Sequence, residues 1–226
     1  RFTAGAITSP ATGTNTLAGG TAFVQSTVLY NQVFFTDGAS YKVYDPKTDE
    51  IEDVVPTSAG EIPPKNQLIA SWRGRLVLAR GADDPHNWHM SKVGDPLNWD
   101  QFPPVITADQ AISGNNARAG RPPDIINTII PYSDDLLIFG CDHSIWRLTG
   151  DPMAGGQMDM VSDITGMCFG KSWCKDPQGN LYFAGSRGAI YAMPPAGLPI
   201  RLTQNTIERR LADVNFETHY LRLEWN

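Results

Sequence analysis

The sequence predicts an all-β chain built from repeated four-stranded antiparallel sheets, and three observations predict it. Glycine and proline are dense, 21 and 17 of 226 residues, which leaves few stretches long enough for an extended helix. From Thr21 onward, short runs rich in Val, Ile, Phe, Tyr and Trp alternate with turn pairs such as Asp37-Gly38, Asp45-Pro46 and Gly179-Asn180, the punctuation of antiparallel strands. A polar turn, an apolar strand and a glycine-marked turn recur at residues 31–38, 75–81, 135–140 and 180–185, with closing glycines spaced by 43, 59 and 45 residues. The long middle interval contains the polar stretch 108–124, and without those 17 residues it matches its neighbours. A four-stranded repeat of about 40–50 residues is the spacing of a β-propeller blade.

Taken in order, residues 1–20 are mostly Thr, Ala, Gly and Ser with one aromatic and read as a linker or docking arm preceding a propeller-like domain at 21–226. Blade one takes strands at 22–29, 32–36, 41–44 and 51–55. Blade two takes 68–72, 75–79, 88–91 and 105–107. Blade three takes 125–131, 136–140, 144–148 and 158–162, and blade four 171–175, 181–184, 189–193 and 200–203. A further strand is expected at 220–225. Second strands are nearly continuous apolar runs, as expected of strands covered on both faces, whereas outer strands alternate or turn polar. A β-sandwich or mixed barrel also yields many short strands, but covered second strands favour radial stacking. Four to five blades are visible. Closing a ring then requires the terminal strands to share a blade, or more chain beyond this sequence. The start at Arg1, with no initiator Met and no basic-then-apolar leader pattern, fits a processed product or a piece of something longer.

Charge and cysteine count exclude several classes of function. With 18 Lys+Arg against 24 Asp+Glu, the formal charge of −6 argues against tight wrapping of nucleic acid by a basic face. The apolar runs 125–132 and 136–141 are far shorter than the roughly 20 residues a membrane-spanning helix needs. Three cysteines cannot all pair within the chain, and neither Cys-x-x-Cys nor a zinc-type Cys/His quartet occurs. Cys141, Cys168 and Cys174 are expected to be small buried residues or free thiols.

Residues 72–81 (WRGRLVLARG) and 84–100 (DPHNWHMSKVGDPLNWD), followed by 129–140, 144–150, 165–171 and 179–185 in the same order, resemble the β-propeller virion proteins of tailed bacteriophages. That family includes tail nozzle, or tail tubular protein B-like, and head-to-tail proteins. The resemblance spans residues 68–193 and implies a structural role in the virion. Copies of the chain would form a homo-oligomeric ring with other virion proteins around the DNA channel, DNA would pass without specific binding, and there would be no reaction, no cofactor and no membrane span. A lumen without excess positive charge suits sliding DNA, because each phosphate contact adds affinity. The alternative is a glycan- or receptor-binding propeller module, and the third reading is a propeller glycoside hydrolase.

Candidate sites follow from residue type and placement. His86 and His89, with Asp83 and Asp84, suggest metal ligands, but on a strand the two histidines point to opposite faces, and Asp84-Pro85 and Asp95-Pro96 are better read as turn starters. Arg73, Arg75, Arg80, Arg147 and Arg187, with Asp134 and Asp142, would suit a carboxylate clamp of the sialidase kind, but they occupy different positions in each repeat. No Gly-x-Ser-x-Gly, phosphate loop or His-Glu-x-x-His occurs. Trp72, Trp146 and Trp173 fall on strands and are expected in the core. Trp88 and Trp99 flank the long connection and are expected at the surface. Together with Asn115, Arg118 and Arg121 of the 108–124 loop they form the predicted interaction set, because a long excursion from a compact repeat is usually functional or disordered.

Overall fold

The computed structural model describes residues 2–3, 6–7, 17, 23–57, 60–195, 197–203, 210–211, 213–215 and 219–226. Strands β1 (Phe2–Thr3) and β2 (Ala6–Ile7) pair antiparallel. The rest of the expected arm, save Leu17, lies outside the described residues. Four four-stranded antiparallel sheets follow, each running in chain order from its first strand to its fourth. The fold is all-β and propeller-like, as the repeat predicts.

The first blade contains β3 (Gln25–Leu29), β4 (Gln32–Thr36), β5 (Tyr41–Asp45) and β6 (Glu50–Asp53). Its first hairpin turns on Tyr30 and Asn31, both at positive φ (50° and 63°), the backbone a two-residue turn needs to match strand twist. The second blade contains β7 (Asn66–Trp72), β8 (Arg75–Gly81), β9 (Trp88–Met90) and β10 (Ile112–Ser113). The third contains β11 (Ile126–Ser133), β12 (Leu136–Cys141), β13 (Ile145–Thr149) and β14 (Gln157–Ser162). The fourth contains β15 (Trp173–Lys175), β16 (Leu181–Ala184), β17 (Ile190–Met193) and β18 (Ile200–Arg201).

The described chain divides into two compact units, residues 1–84 with 88–116, and 85–87 with 117–226. In the first unit, Phe34 of β4 packs with Ile69, Leu76, Leu78 and Trp99, so blade one buries a face against blade two. Polar groups tie the same seam: Thr36 Oγ1 donates to the Asn66 carbonyl (2.6 Å), the Ile69 N–H donates to Gln25 Oε1 (2.9 Å), and the Tyr41 hydroxyl donates to the Pro63 carbonyl (2.6 Å). In the second unit, Ile130, Ile138 and Ile145 of blade three pack with Met167 and with Leu181, Phe183 and Met193 of blade four. There the Tyr132 hydroxyl donates to the Gly179 carbonyl, and Lys175 Nζ donates to the carbonyls of Pro131 (3.2 Å) and Tyr132 (3.0 Å). Second strands β8 and β12 are buried almost end to end, whereas β6, β14 and β18 are largely exposed. A strand covered by neighbours on both faces must be apolar throughout.

Two strand expectations are corrected. The fourth strand of blade two is Ile112–Ser113, pairing with Met90 and His89, rather than 105–107. Val105 and Ile106 are instead 72% and 79% exposed. Apolar character alone does not make a strand; the free edge of β9 is taken by Ile112, whose side chain is buried, while 105–106 follow Pro103-Pro104, which supply no N–H to a ladder. The segment 220–225 pairs with no strand among the described residues. It lies against blade four through aromatic contacts, Tyr220 with Phe169 (5.8 Å between ring centroids) and Trp225 with Tyr182 (5.3 Å).

Candidate functional site

The long connection is only partly a surface loop. Gln110, Ala111, Ile112 and Ser113 are buried, held from below by Arg75, a fully buried guanidinium on β8. Its Nη1 donates to the carbonyls of Ser91 (2.9 Å) and Gln110 (2.6 Å), and Nη2 to that of Ala108 (3.3 Å). Gln101 fastens the other side: its Oε1 accepts from Ser113 Oγ (2.9 Å) and Asn116 Nδ2 (2.7 Å), and its carbonyl accepts from Gln110 Nε2 (3.1 Å). Between these anchors stand Phe102, Val105 and Ile106, 78%, 72% and 79% exposed. Large apolar side chains held in water by a pinned loop form a surface fit for contact with a protein.

The predicted tryptophans are not part of that surface. Trp88 is fully buried on β9, an interior strand between β8 and β10, and Trp99 is 2% exposed among Phe34, Ile69, Leu76 and Leu78. Large aromatic rings gain most by burial, so Trp88 is buried within blade two and Trp99 in the seam between blades one and two rather than on the solvent side of the connection. Asn115 is exposed, with Nδ2 3.4 Å from Asp84 Oδ2. Arg118 and Arg121 are exposed, as expected.

Arg118, one of the predicted set, lines a cleft. This cavity, about 410 Å³, lies in the second unit and is bounded by Arg118, Ala119, Gly155, Gly156, Gln157, Met158 and Asp159. One wall comes from the turn 117–120, closed by the Gly120 N–H donating to the Ala117 carbonyl (3.0 Å), with Gly120 at φ 74°. The other comes from the β13–β14 connection. There Asp151 caps a 3-10 turn (Pro152–Ala154) by accepting the Met153 N–H, Gly155 ends it in the left-handed region at φ 89°, and the Gly156 N–H returns to the Asp151 carbonyl (2.8 Å). The chain then enters β14, where Gln157 and Asp159 stand on the exposed side. Among the described residues Arg118 makes no hydrogen bond or ion pair, and none joins it to Asp159. The volume falls in the range of small-molecule sites, about 300–1,000 Å³. The lining is polar, suited to a ligand rich in hydrogen-bonding groups.

Several of the remaining candidates have structural partners. Arg80 Nε donates to Gln67 Oε1 (3.0 Å) and Arg73 lies over the Trp72 ring (5.6 Å), so with Arg75 buried these three do not form a clamp. Asp124, Asp142 and His143 bring ligand-type atoms within 4.8 Å of one another, a grouping hidden in sequence by the intervening strands. The Asp124 carboxylate, however, accepts the N–H groups of Ile125 (2.9 Å) and His143 (2.7 Å) and the Ser144 hydroxyl (3.0 Å), which is the work of a loop staple. His89 Nδ1 is buried without a partner among the described residues, and burial pulls its imidazole down to about 4, against a smaller upward pull from Asp84. The three cysteines are free thiols, Cys141 and Cys168 buried and Cys174 half-buried. Burial raises Cys141 well above the usual thiol range and pushes Cys168 up to about 12.

No family model and no curated protein matches the chain. Solved structures do. The extracellular domain of the hybrid two component system BT4673 from B. thetaiotaomicron superposes with a TM-score of 0.52 over 81% of this chain and 22% of that one, at 9% identity. The corresponding domain of BT3049 from the same organism gives 0.50 over 76% and 22%, at 10% identity. The likeness is one of fold. This chain spans about a fifth of the length of those proteins.

Proposed function

We propose that the chain is a propeller-like recognition module that binds a saccharide or saccharide-bearing receptor through its loops, with no reaction of its own. The observation that carries this reading is the cleft at Arg118. Arg118, which has no partner among the described residues, Gln157, Asp159 and two glycines line one cavity of ligand size, and such a gathering of polar residues at a sheet end is how binding sites are built. A labelled sample of the chain applied to a glycan array is expected to retain specific saccharides, and the double variant Arg118→Ala/Asp159→Ala is expected to lose them. Turnover of model glycosides at the same cleft would replace this reading with a hydrolase.

A second reading, assembly into a phage virion as a tail nozzle or head-to-tail component, is supported by Phe102, Val105 and Ile106 on their pinned loop. Sedimentation velocity separates the two. Concentration-dependent assembly to ring size, abolished by Ile106→Asp, favours the virion role, whereas a monomer that retains saccharide favours the recognition module.

A further inference from the structure

We propose that the Arg118 cleft selects a carboxylated saccharide, holding the acid group on the Arg118 guanidinium and the ring hydroxyls on Asp159 and Gln157. This rests on the saccharide-binding reading above and names its ligand. Arg118 is exposed in its turn and, among the described residues, has no partner. All five of its N–H donors are therefore available, in a planar fork that matches a carboxylate with two parallel bonds. The Asp159 carboxylate accepts only, as a sugar hydroxyl requires, while the Gln157 carboxamide both donates and accepts. Both residues line the same cavity.

Charge placement fixes the direction in which such a ligand sits. An acid group near Asp159 meets like charge, whereas at Arg118 it meets opposite charge, so the reversed pose is penalised. The glycine wall helps. At Gly155 a side chain would extend into open space with nothing within 4 Å, and at Gly156 a Cβ would come within 2.9 Å of the Asp151 backbone. Gly155 places no side chain in that open space, so a flat ring can approach its peptide plane, whereas Gly156 lets the turn close on Asp151. The chain as a whole carries −6, so its general field repels an anion, and acid recognition has to reside in a local fork. Binding should accordingly weaken only modestly with salt, as expected for one ion pair rather than a basic patch.

The test compares matched ligands by titration calorimetry on the full chain: sialyllactose against lactose, and a glucuronate-terminated disaccharide against its glucose-terminated counterpart. At least one acid is expected to bind roughly tenfold or more tightly than its neutral partner. Arg118→Ala should erase that preference, Arg118→Lys should restore part of it, and Asp159→Asn should weaken acid and neutral ligands together. Arg118→Ala should leave the melting temperature unchanged, since the side chain supports no other group. Equal affinity for acid and neutral partners, a preference for a sulfated sugar, or an acid preference that survives Arg118→Ala overturns the proposal. Tight binding of neutral saccharides alone overturns the acid preference but keeps the recognition reading, and no retention of any saccharide overturns both.

Discussion

Arg75 offers the clearest test of how the first unit holds its long connection. Its guanidinium is fully buried and donates to three backbone carbonyls, those of Ser91, Gln110 and Ala108. Arg75→Met keeps much of the side-chain volume and removes the donors. Of the bonds lost, those to Ser91 and Gln110 are buried, and each orphaned buried carbonyl costs about 1–3 kcal/mol. Relief from burying a cation offsets part of this, leaving a net loss of about 3 kcal/mol against a typical domain stability of about 5–15 kcal/mol. Urea unfolding measures the total. Hydrogen exchange locates it, because the Ile112–Ser113 ladder to β9 adjoins Gln110 and Ser91, whose carbonyls are released, and its amides should exchange faster while the β3–β4 ladder is little changed. Arg75→Lys, whose ammonium reaches fewer acceptors, should fall between. A change under about 1 kcal/mol, with exchange at Ile112 unaltered, would refute the claim that one buried cation organises this connection.

Three further outcomes follow from the same structure. His89 is held neutral in the fold with its imidazole at about 4 against 6.5 in the free side chain, so between those values the unfolded chain binds the extra proton. Stability should therefore be level above pH 6.5 and fall by up to about 3 kcal/mol as pH drops to 4, and a His89→Gln variant should flatten that slope in urea titrations. At Gly166 a Cβ would stand 2.1 Å from the Cys141 carbonyl and 2.2 Å from that of Asp142, so Gly166→Ala should cost about 3 kcal/mol or more in chemical unfolding, because two backbones must separate. Among the cysteines, half-buried Cys174 should react first with a disulfide reagent under native conditions, with Cys141 and Cys168 protected until the chain unfolds; comparable rates at all three would contradict the burial.

Strand order was legible because blade interiors impose a strong pattern. Runs such as Leu76–Ala79 are apolar on both faces, and turns such as Arg73-Gly74, at φ 50° and 70°, demand residues tolerant of positive φ. Those two signals placed nearly every strand to within a few residues. They fail where pairing needs few residues. β10 is two residues long, too short for a period to show, whereas Val105-Ile106 carries the local look of a strand with no edge left to join. The terminal segment 220–225 alternates in the same way but is held by ring contacts rather than a ladder.

The candidate site was legible by half, and the reason is the split of one connection between inside and outside. The sequence reads 108–124 as one polar interaction loop, yet Gln110 and Ser113 within it are buried because Arg75, Gln101 and the Thr107 N–H satisfy their hydrogen bonds. A polar side chain loses its reason to stay exposed once its partners are supplied. Trp88 and Trp99 depart in the opposite sense: adjacency to a loop in sequence says nothing about which strand lies beneath, and Trp88 is buried in blade two and Trp99 in the seam between blades one and two. Arg118 was identifiable as a cation on that loop, but its value comes from Gln157 and Asp159, which lie on a strand of the next blade. In sequence, β14 shows only polar alternation, the mark of an outer strand. An acid on such a strand becomes a candidate only when the fold sets an arginine with no partner among the described residues beside the same cavity, so the step from solvated face to candidate site is taken by tertiary placement alone.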